Sequence, residues 1–287
     1  MLYSPADYNT GVEFRRDAGR RCVDFQPRAN NQKSRKEGLL MIQVQAHRGA
    51  SAYAPENTLP AFRRAVELGA DGIECDIHLT TDGQYVVCHD NEIGRTSNGT
   101  GKLSEMTAAE ARACDFTAGF SGWTGEPATA PLLDELLELV GGMDIINIEI
   151  KGPFRPGQDM REAYRLIAEA LERHHCTERA MLSSFGHDWL KEYRELYPSM
   201  RTGLLYSEKY TPEETVAMVR KYNAWAIHPW LGGIDEVVLG ACRKADIACN
   251  VWTVDSPEDI RRAIELEPTG IITDVPDLVM AALRLER

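Results

Sequence analysis

The chain has 287 residues, 43% hydrophobic and 26% charged, an ordinary globular composition with enough apolar material for a full core. Its formal net charge of −12 argues against a nucleic-acid surface, so any anionic substrate must be met by a locally built positive site. No apolar run approaches the ~18 residues of a membrane span, and no leader-like apolar stretch precedes the first periodic segment. The expectation is a cytoplasmic protein without stable membrane insertion. Its oligomeric state is not legible from sequence.

Residues 1–40 carry eight Arg and Lys against five Asp and Glu, show little periodicity and are rich in Asn, Gln, Arg and Gly. They are expected to form a flexible N-terminal extension without an assigned function. From Met41 onward apolar runs alternate with amphipathic stripes. Candidate strands are IQVQA (42–46), GIECDI (72–77), IINIEIK (145–151), AMLSSF (180–185), TGLLY (202–206), NAWAIH (223–228), IACNVWTV (247–254) and GIITD (270–274). Between them, Thr58 is expected to cap a helix whose stripe is Leu59, Phe62, Ala65 and Val66. Met160, Ala163, Tyr164, Ile167, Ala170 and Leu171 follow helical spacing, as do Ile234, Val237, Val238, Ala241 and Cys242. Thr211-Pro212-Glu213-Glu214 reads as a capping box, and Ser256-Pro257-Glu258-Asp259 as its close relative.

Eight strands alternating with about as many helices over residues 41–287 predict an α/β fold, a (β/α)8 TIM barrel of the usual ~250 residues. An open doubly wound sheet is the competitor, but no G-x-G-x-x-G turn is present. One interval breaks the rhythm. An insertion over about residues 90–131 contains a Thr107/Glu110 capping box and the aromatics Phe116, Phe120 and Trp123. It is too long for a simple βα connection and is expected to lie over the C-terminal mouth of the barrel. The seven cysteines (22, 75, 88, 114, 176, 242 and 249) lack metal-site spacing and read as free thiols.

Alternation within the strands carries the chemistry. Side chains two apart on a strand share a face, so Glu74 and Asp76 point together, opposite Ile73, Cys75 and Ile77. Glu149 and Lys151 do the same in NIEIK, and His47 ends a run whose polar parity includes Gln43 and Gln45. Burying carboxylates on such a face is costly without a compensating cation. Three oxygen ligands, Glu74, Asp76 and Glu149, favour a hard divalent ion, Mg²⁺ or Ca²⁺, over zinc. Arg48 and Lys151 could then grip a phosphate. His47 and His89 form a candidate acid–base pair for attack on a phosphate ester.

HRGASAYAPENTLPAF, GADGIECDIHLTTDGQYVVCHD, TSNGTGKLSEMT, INIEIK, LSSF, VWTVD and GIITDVPD, in this order over roughly residues 42–280, resemble the glycerophosphodiester phosphodiesterase family. The resemblance implies a TIM barrel with a small insertion that hydrolyses glycerophosphodiesters to glycerol 3-phosphate and an alcohol with one divalent metal ion. By motif it implies that His47 and His89 are the catalytic pair, Arg48 the phosphate-binding arginine, and Glu74, Asp76 and Glu149 the metal ligands. Lys151 falls on the lysine of the E-x-K segment, and Trp252 on an aromatic beside the substrate. TAPLLDEL at 129–136 departs from the family's more usual Pro-Thr-Leu-Glu-like run, which affects a helix entry and no site residue. The rivals are a lysophospholipase D-type enzyme, which would want an exposed apolar rim on the insertion, and a catalytically inactive barrel that binds glycerophosphodiesters. His78 shares the parity of Glu74 and Asp76 but is not expected to be a ligand. His174, His175 and His187 read as surface residues.

Overall fold

The computed structural model describes residues 42–152 and 154–285. The extension expected over residues 1–40, with Cys22, lies outside the described residues. Each of the eight candidate apolar runs forms a strand, and helices fill most of the intervals. The first units are β1 (Gln43–His47), α1 (Leu59–Leu68), β2 (Gly72–Leu79), β3 (Tyr85–Val87), α2 (Ala108–Arg112) and α3 (Leu133–Val140). Then follow β4 (Ile145–Ile150), α4 (Met160–Arg173), β5 (Ala180–Ser184), α5 (His187–Leu196), β6 (Arg201–Tyr206) and α6 (Pro212–Tyr222). The last are β7 (Ala226–Pro229), α7 (Glu236–Lys244), β8 (Ala248–Val251), α8 (Pro257–Leu266), β9 (Gly270–Thr273) and α9 (Pro276–Leu285).

Parallel pairing runs β1-β2-β4-β5-β6-β7-β8-β9 and returns to β1, closing the (β/α)8 barrel. β3 stands outside the ring, antiparallel to β2. Strand alternation divides the core in two. Outward residues such as Val44, Ile73, Ile77, Ile146 and Ile148 are buried in one cluster with Phe62, Leu136, Ile167 and Leu171 of the helices. Inward positions are polar at several levels, with Gln45, Asn147, His228 and Asn250 all fully buried. Gly203 makes room for one of them, because an added Cβ would lie 2.3 Å from His228 Nε2.

The insertion has its own small core of Ile93, Leu103, Ala111 and Phe116, packed with Val86, Cys88 and Ala130. Its Thr107/Glu110 capping box forms, as does the box at Thr211/Glu214; Ser256 caps α8 by accepting from the Asp259 N–H. Phe116 is buried, Phe120 and Trp123 are half-buried and pack edge-on at 6.3 Å, and no large apolar side chain of the insertion is among the exposed ones. The exposed aromatics at strand ends are Phe185 (51%) and Trp230 (47%) instead.

Two helix expectations shift. Thr58 precedes α1, but its hydroxyl donates to the Pro55 carbonyl at 2.6 Å and does not cap the helix. α7 starts at Glu236, so Ile234 precedes it and the buried stripe runs through Val238, Leu239 and Cys242; Val237 is 68% exposed. Among the described residues, no helix is long and apolar enough to cross a membrane.

Candidate active site

The C-terminal ends of β1, β2, β4 and β9 build the site. After His47 the chain turns away through two left-handed residues, Arg48 (φ 55°) and Gly49 (φ 81°). An added Cβ at Gly49 would sit 2.6 Å from the Ala61 backbone, so the close approach of α1 requires glycine. Arg48 bears a left-handed cost of roughly 1 kcal/mol, and its N–H donates to Glu74 Oε2 at 3.1 Å. His47 Nδ1 donates to Asp274 Oδ1 at 2.6 Å, an interaction across 227 residues of chain. Ser51 Oγ donates to the same oxygen at 2.8 Å. With Nδ1 so engaged, Nε2 is the free ring nitrogen, 4.0 Å from Glu74 Oε2. Burial opposes the imidazolium, but the Asp274 hydrogen bond and the Glu74 charge outweigh it, and the His47 pKa is raised.

β2 and β4 pair so that Asp76 lies opposite Glu149, which brings three carboxylates together. One oxygen each from Glu74, Asp76 and Glu149 lies within 4.8 Å of the others, and all three residues are buried. Asp76 Oδ2 accepts from Asn57 Nδ2 at 2.8 Å and lies 3.4 Å from Arg48 Nε. Lys151 Nζ sits 3.1 Å from Asp76 Oδ1 and 2.7 Å from Glu149 Oε1. Burial alone would raise the Asp76 pKa, but Lys151 and Arg48 hold it well below the usual carboxylate range. Burial and the charge of Asp76 push Glu74 up to about 7 and Glu149 up to about 8. Two cations therefore do not neutralise three carboxylates. The hard oxygen donors, their spacing and this residual repulsion fit a divalent metal ion.

The pairing of β3 with β2 carries the chain back to the barrel mouth and delivers His89. Its Nδ1 meets Asp90 Oδ1 at 2.6 Å, and its carbonyl accepts from His78 Nε2 at 3.0 Å. His78 thus holds the His89 backbone and stays out of the acidic cluster. The His89 pKa is lowered, chiefly by burial, against the pull of Asp76 and Asp90.

Seven of the eight residues singled out from sequence line one cleft of about 430 Å³, part of it open to solvent. Asp76 lies beneath them, reached by Arg48, Lys151 and Asn57. Beside these charged groups the lining is apolar at Phe185, Leu205, Trp252 and Ile272. Trp252 donates Nε1–H to the His228 carbonyl at 2.7 Å and packs edge-on to Phe185 at 5.9 Å. His228 itself is buried inside the barrel, bonded to Asn250.

Sequence reasoning gave no role to Asp274, Asp90, Asn57 or Phe185. The first two each hold a histidine ring. Asp90 was adjacent to His89 and Asp274 ended a predicted strand, signals that only pairing in space could interpret.

The model of the glycerophosphoryl diester phosphodiesterase family matches residues 47–278. A glycerophosphodiester phosphodiesterase of Caldanaerobacter subterraneus subsp. tengcongensis is 38% identical over 245 residues, 84% of this chain and 97% of the relative. The solved Thermotoga maritima glycerophosphodiester phosphodiesterase is 31% identical, with a TM-score of 0.68 covering 84% of this chain and 98% of that one. An Oleispira antarctica phosphodiesterase, solved with the product sn-glycerol-3-phosphate, is 25% identical with a TM-score of 0.75, covering 84% and 96%. With the family match spanning most of the chain, and relatives and solved structures sharing its closed parallel barrel, the chain belongs to the glycerophosphoryl diester phosphodiesterase family and is a phosphoric diester hydrolase.

Proposed function

We propose that this enzyme cleaves glycerophosphodiesters to glycerol 3-phosphate and an alcohol, with Mg²⁺ or Ca²⁺ held by Glu74, Asp76 and Glu149. The observation that carries the reading is that the buried triad shares one cleft with two histidines, each already gripped at Nδ1 by its own carboxylate. Such a pair suits an in-line displacement. One ring takes the proton of the attacking hydroxyl as its oxygen bonds to phosphorus, and the other gives a proton to the alkoxide as the ester P–O bond breaks. A bound cation would supply positive charge to the phosphoryl oxygens. Arg48 and Lys151 now pair with the carboxylates of the triad, and with a cation bound there they would be left to donate to the non-bridging oxygens. Phe185 and Trp252 form an apolar wall for the carbon skeleton of glycerol. The attacking hydroxyl is either water or the neighbouring glycerol hydroxyl; a transient cyclic phosphate in the 31P spectrum during turnover identifies the second route.

The six free cysteines among the described residues suit a reducing cytoplasm. Exposed Phe185 and Trp230 favour a second reading, hydrolysis of lysophospholipid diesters with the same groups. Retention of both histidines and all three carboxylates weighs against a barrel that only binds. The test is choline release from glycerophosphocholine and lysophosphatidylcholine, in EDTA and after Mg²⁺ or Ca²⁺ is restored, with His47→Ala, His89→Ala and Glu74→Gln beside the parent. The reading predicts metal-dependent release from the first substrate, abolished in all three variants. Release from lysophosphatidylcholine alone transfers the assignment to the second reading.

A further inference from the structure

Arg95 does not line the cleft, yet the two carboxylates it contacts reach His89 and Arg48. It lies on a short 3-10 turn, Ile93–Arg95, whose Ile93 is buried in the insertion's own core. The Ile93 N–H donates to the Gly101 carbonyl at 3.1 Å, so the backbone that presents Arg95 is tied to the insertion. Its guanidinium forks onto Glu56, with Nη1 to Oε2 at 2.8 Å and Nη2 to Oε1 at 2.7 Å. Nε donates to Asp90 Oδ2. Both acceptors are themselves engaged with the cleft: Asp90 Oδ1 holds His89 Nδ1 at 2.6 Å, and Glu56 Oε1 accepts from Arg48 Nη1 at 2.9 Å.

Exposed ion pairs usually contribute little, because solvent screens them and ordering two long side chains has an entropic cost. Arg95 is 49% exposed, so its effect on global stability should be small. Its geometry differs from a lone surface pair in two respects. The fork on Glu56 is bidentate, the arrangement that fixes direction as well as charge. The remaining donor sits on the carboxylate that orients a histidine. The chain His89–Asp90–Arg95–Glu56–Arg48 is therefore continuous, and Arg95 is its only member contributed by the insertion's 3-10 turn.

Resting on the proposed reading of this cleft, we infer that Arg95 is a positioning residue: it pins Asp90 so that His89 presents Nε2 to the substrate, and it shares Glu56 so that Arg48 remains available to phosphate. Without it, Asp90 is free to leave His89 for solvent, and Glu56 binds Arg48 alone. The first change falls on kcat and the second on KM. Because the insertion core carries Arg95, this also explains how a segment outside the barrel is coupled to barrel chemistry.

The test compares the metal-loaded parent with Arg95→Met, Arg95→Lys, Asp90→Asn and the Arg95→Met/Asp90→Asn double variant. The first readout needs no turnover: imidazole 15N spectra at one fixed pH. Arg95→Met is expected to move the His89 ring signals in the direction that Asp90→Asn moves them, leaving His47, held by Asp274, unshifted. The second readout is steady-state hydrolysis of glycerophosphocholine. Arg95→Met is expected to lower kcat about tenfold and to raise KM several-fold. In the Asp90→Asn background the same change should alter kcat by less than about twofold, since the two act through one contact. Arg95→Lys, which restores charge without the fork, should recover part of kcat; it also carries the test if the methionine variant folds poorly. Unmoved His89 signals, kcat within about twofold of the parent, or additive losses in the double variant would each overturn the inference. A parent without hydrolysis would instead overturn the proposed function, while the ring signals still decide the role of Arg95.

Discussion

Asp274 offers the sharpest test of how the site is held. Its Oδ1 accepts from His47 Nδ1 at 2.6 Å and from Ser51 Oγ at 2.8 Å, and it does not line the cleft. Asp274→Asn keeps the shape and an acceptor but removes the charge. A hydrogen bond with one charged partner is worth about 1.5–3 kcal/mol and a neutral one about 0.5–1.5 kcal/mol. The carboxylate is 36% exposed, so the lower part of that difference applies, roughly 1 kcal/mol. At about 1.4 kcal/mol per tenfold, kcat should fall about fivefold. Asp274→Ala also frees the ring to rotate and leaves Nδ1 without its partner, a further 1–3 kcal/mol or so, for a total loss of roughly 30- to 1000-fold. Because Asp274 raises the His47 pKa, the limb of the pH–rate profile that belongs to His47 should move to lower pH in both variants. Alcohol release under metal-saturated conditions reads all three effects, with KM nearly unchanged. Two variants within about twofold of the parent, or an alanine variant no slower than the asparagine one, would refute the claim that Asp274 orients His47.

Other consequences follow from the same geometry. A divalent ion bound only by the folded triad stabilises it by about 2.7 kcal/mol at a hundredfold excess over Kd, so EDTA should lower Tm, and Glu74→Gln and Glu149→Gln should shrink the rise on adding Mg²⁺ or Ca²⁺. A parent whose Tm ignores both ions speaks against a metal centre. Without the ion, Glu74 titrates at about 7 and Glu149 at about 8, so binding must release protons and apparent affinity should rise with pH up to about 8. Calorimetric titrations that give a pH-independent affinity count against that picture. Burial pushes the His228 pKa down to about 3. The unfolded chain takes up this proton near pH 6.5, whereas the folded chain resists it. The stability is complete above about 6.5 and is lost as pH falls toward 3, by up to about 1.4 kcal/mol per pH unit. His228→Gln should be less stable at neutral pH but lose less on acidification; parallel acid unfolding curves for parent and variant contradict this.

Much of the barrel was legible because strand parity and helical spacing are local. GIECDI and NIEIK announced both their outward isoleucines and their inward acids, and β2 and β4 pair in the register that brings Asp76 opposite Glu149. Strand ends were less legible. NAWAIH loses its first three residues because Asn223 takes a left-handed conformation (φ 49°) to cap α6. IACNVWTV ends its strand at Val251, and Trp252 turns its indole onto the His228 carbonyl. β3 was too short to separate from its loop. The residues that hold the site were the least legible. Asp274 looks like the polar end of a strand, and Glu56 and Arg95 like ordinary polar loop positions; their meaning lies in partners 227, 8 and 39 residues away. Thr58 and Val237 failed for the opposite reason: each fits a local rule, but Thr58 spends its hydroxyl on Pro55, and the start of α7 turns Val237 outward.

The most direct test of the central claim is the identity of the phosphorus-containing product when the metal-loaded enzyme consumes glycerophosphocholine. Followed by 31P NMR, the substrate signal should give way to glycerol 3-phosphate with one equivalent of choline, and His47→Ala should show no conversion. Phosphocholine with glycerol, which requires the other ester bond to break, or an unchanged spectrum from a folded, metal-loaded sample, would contradict the account.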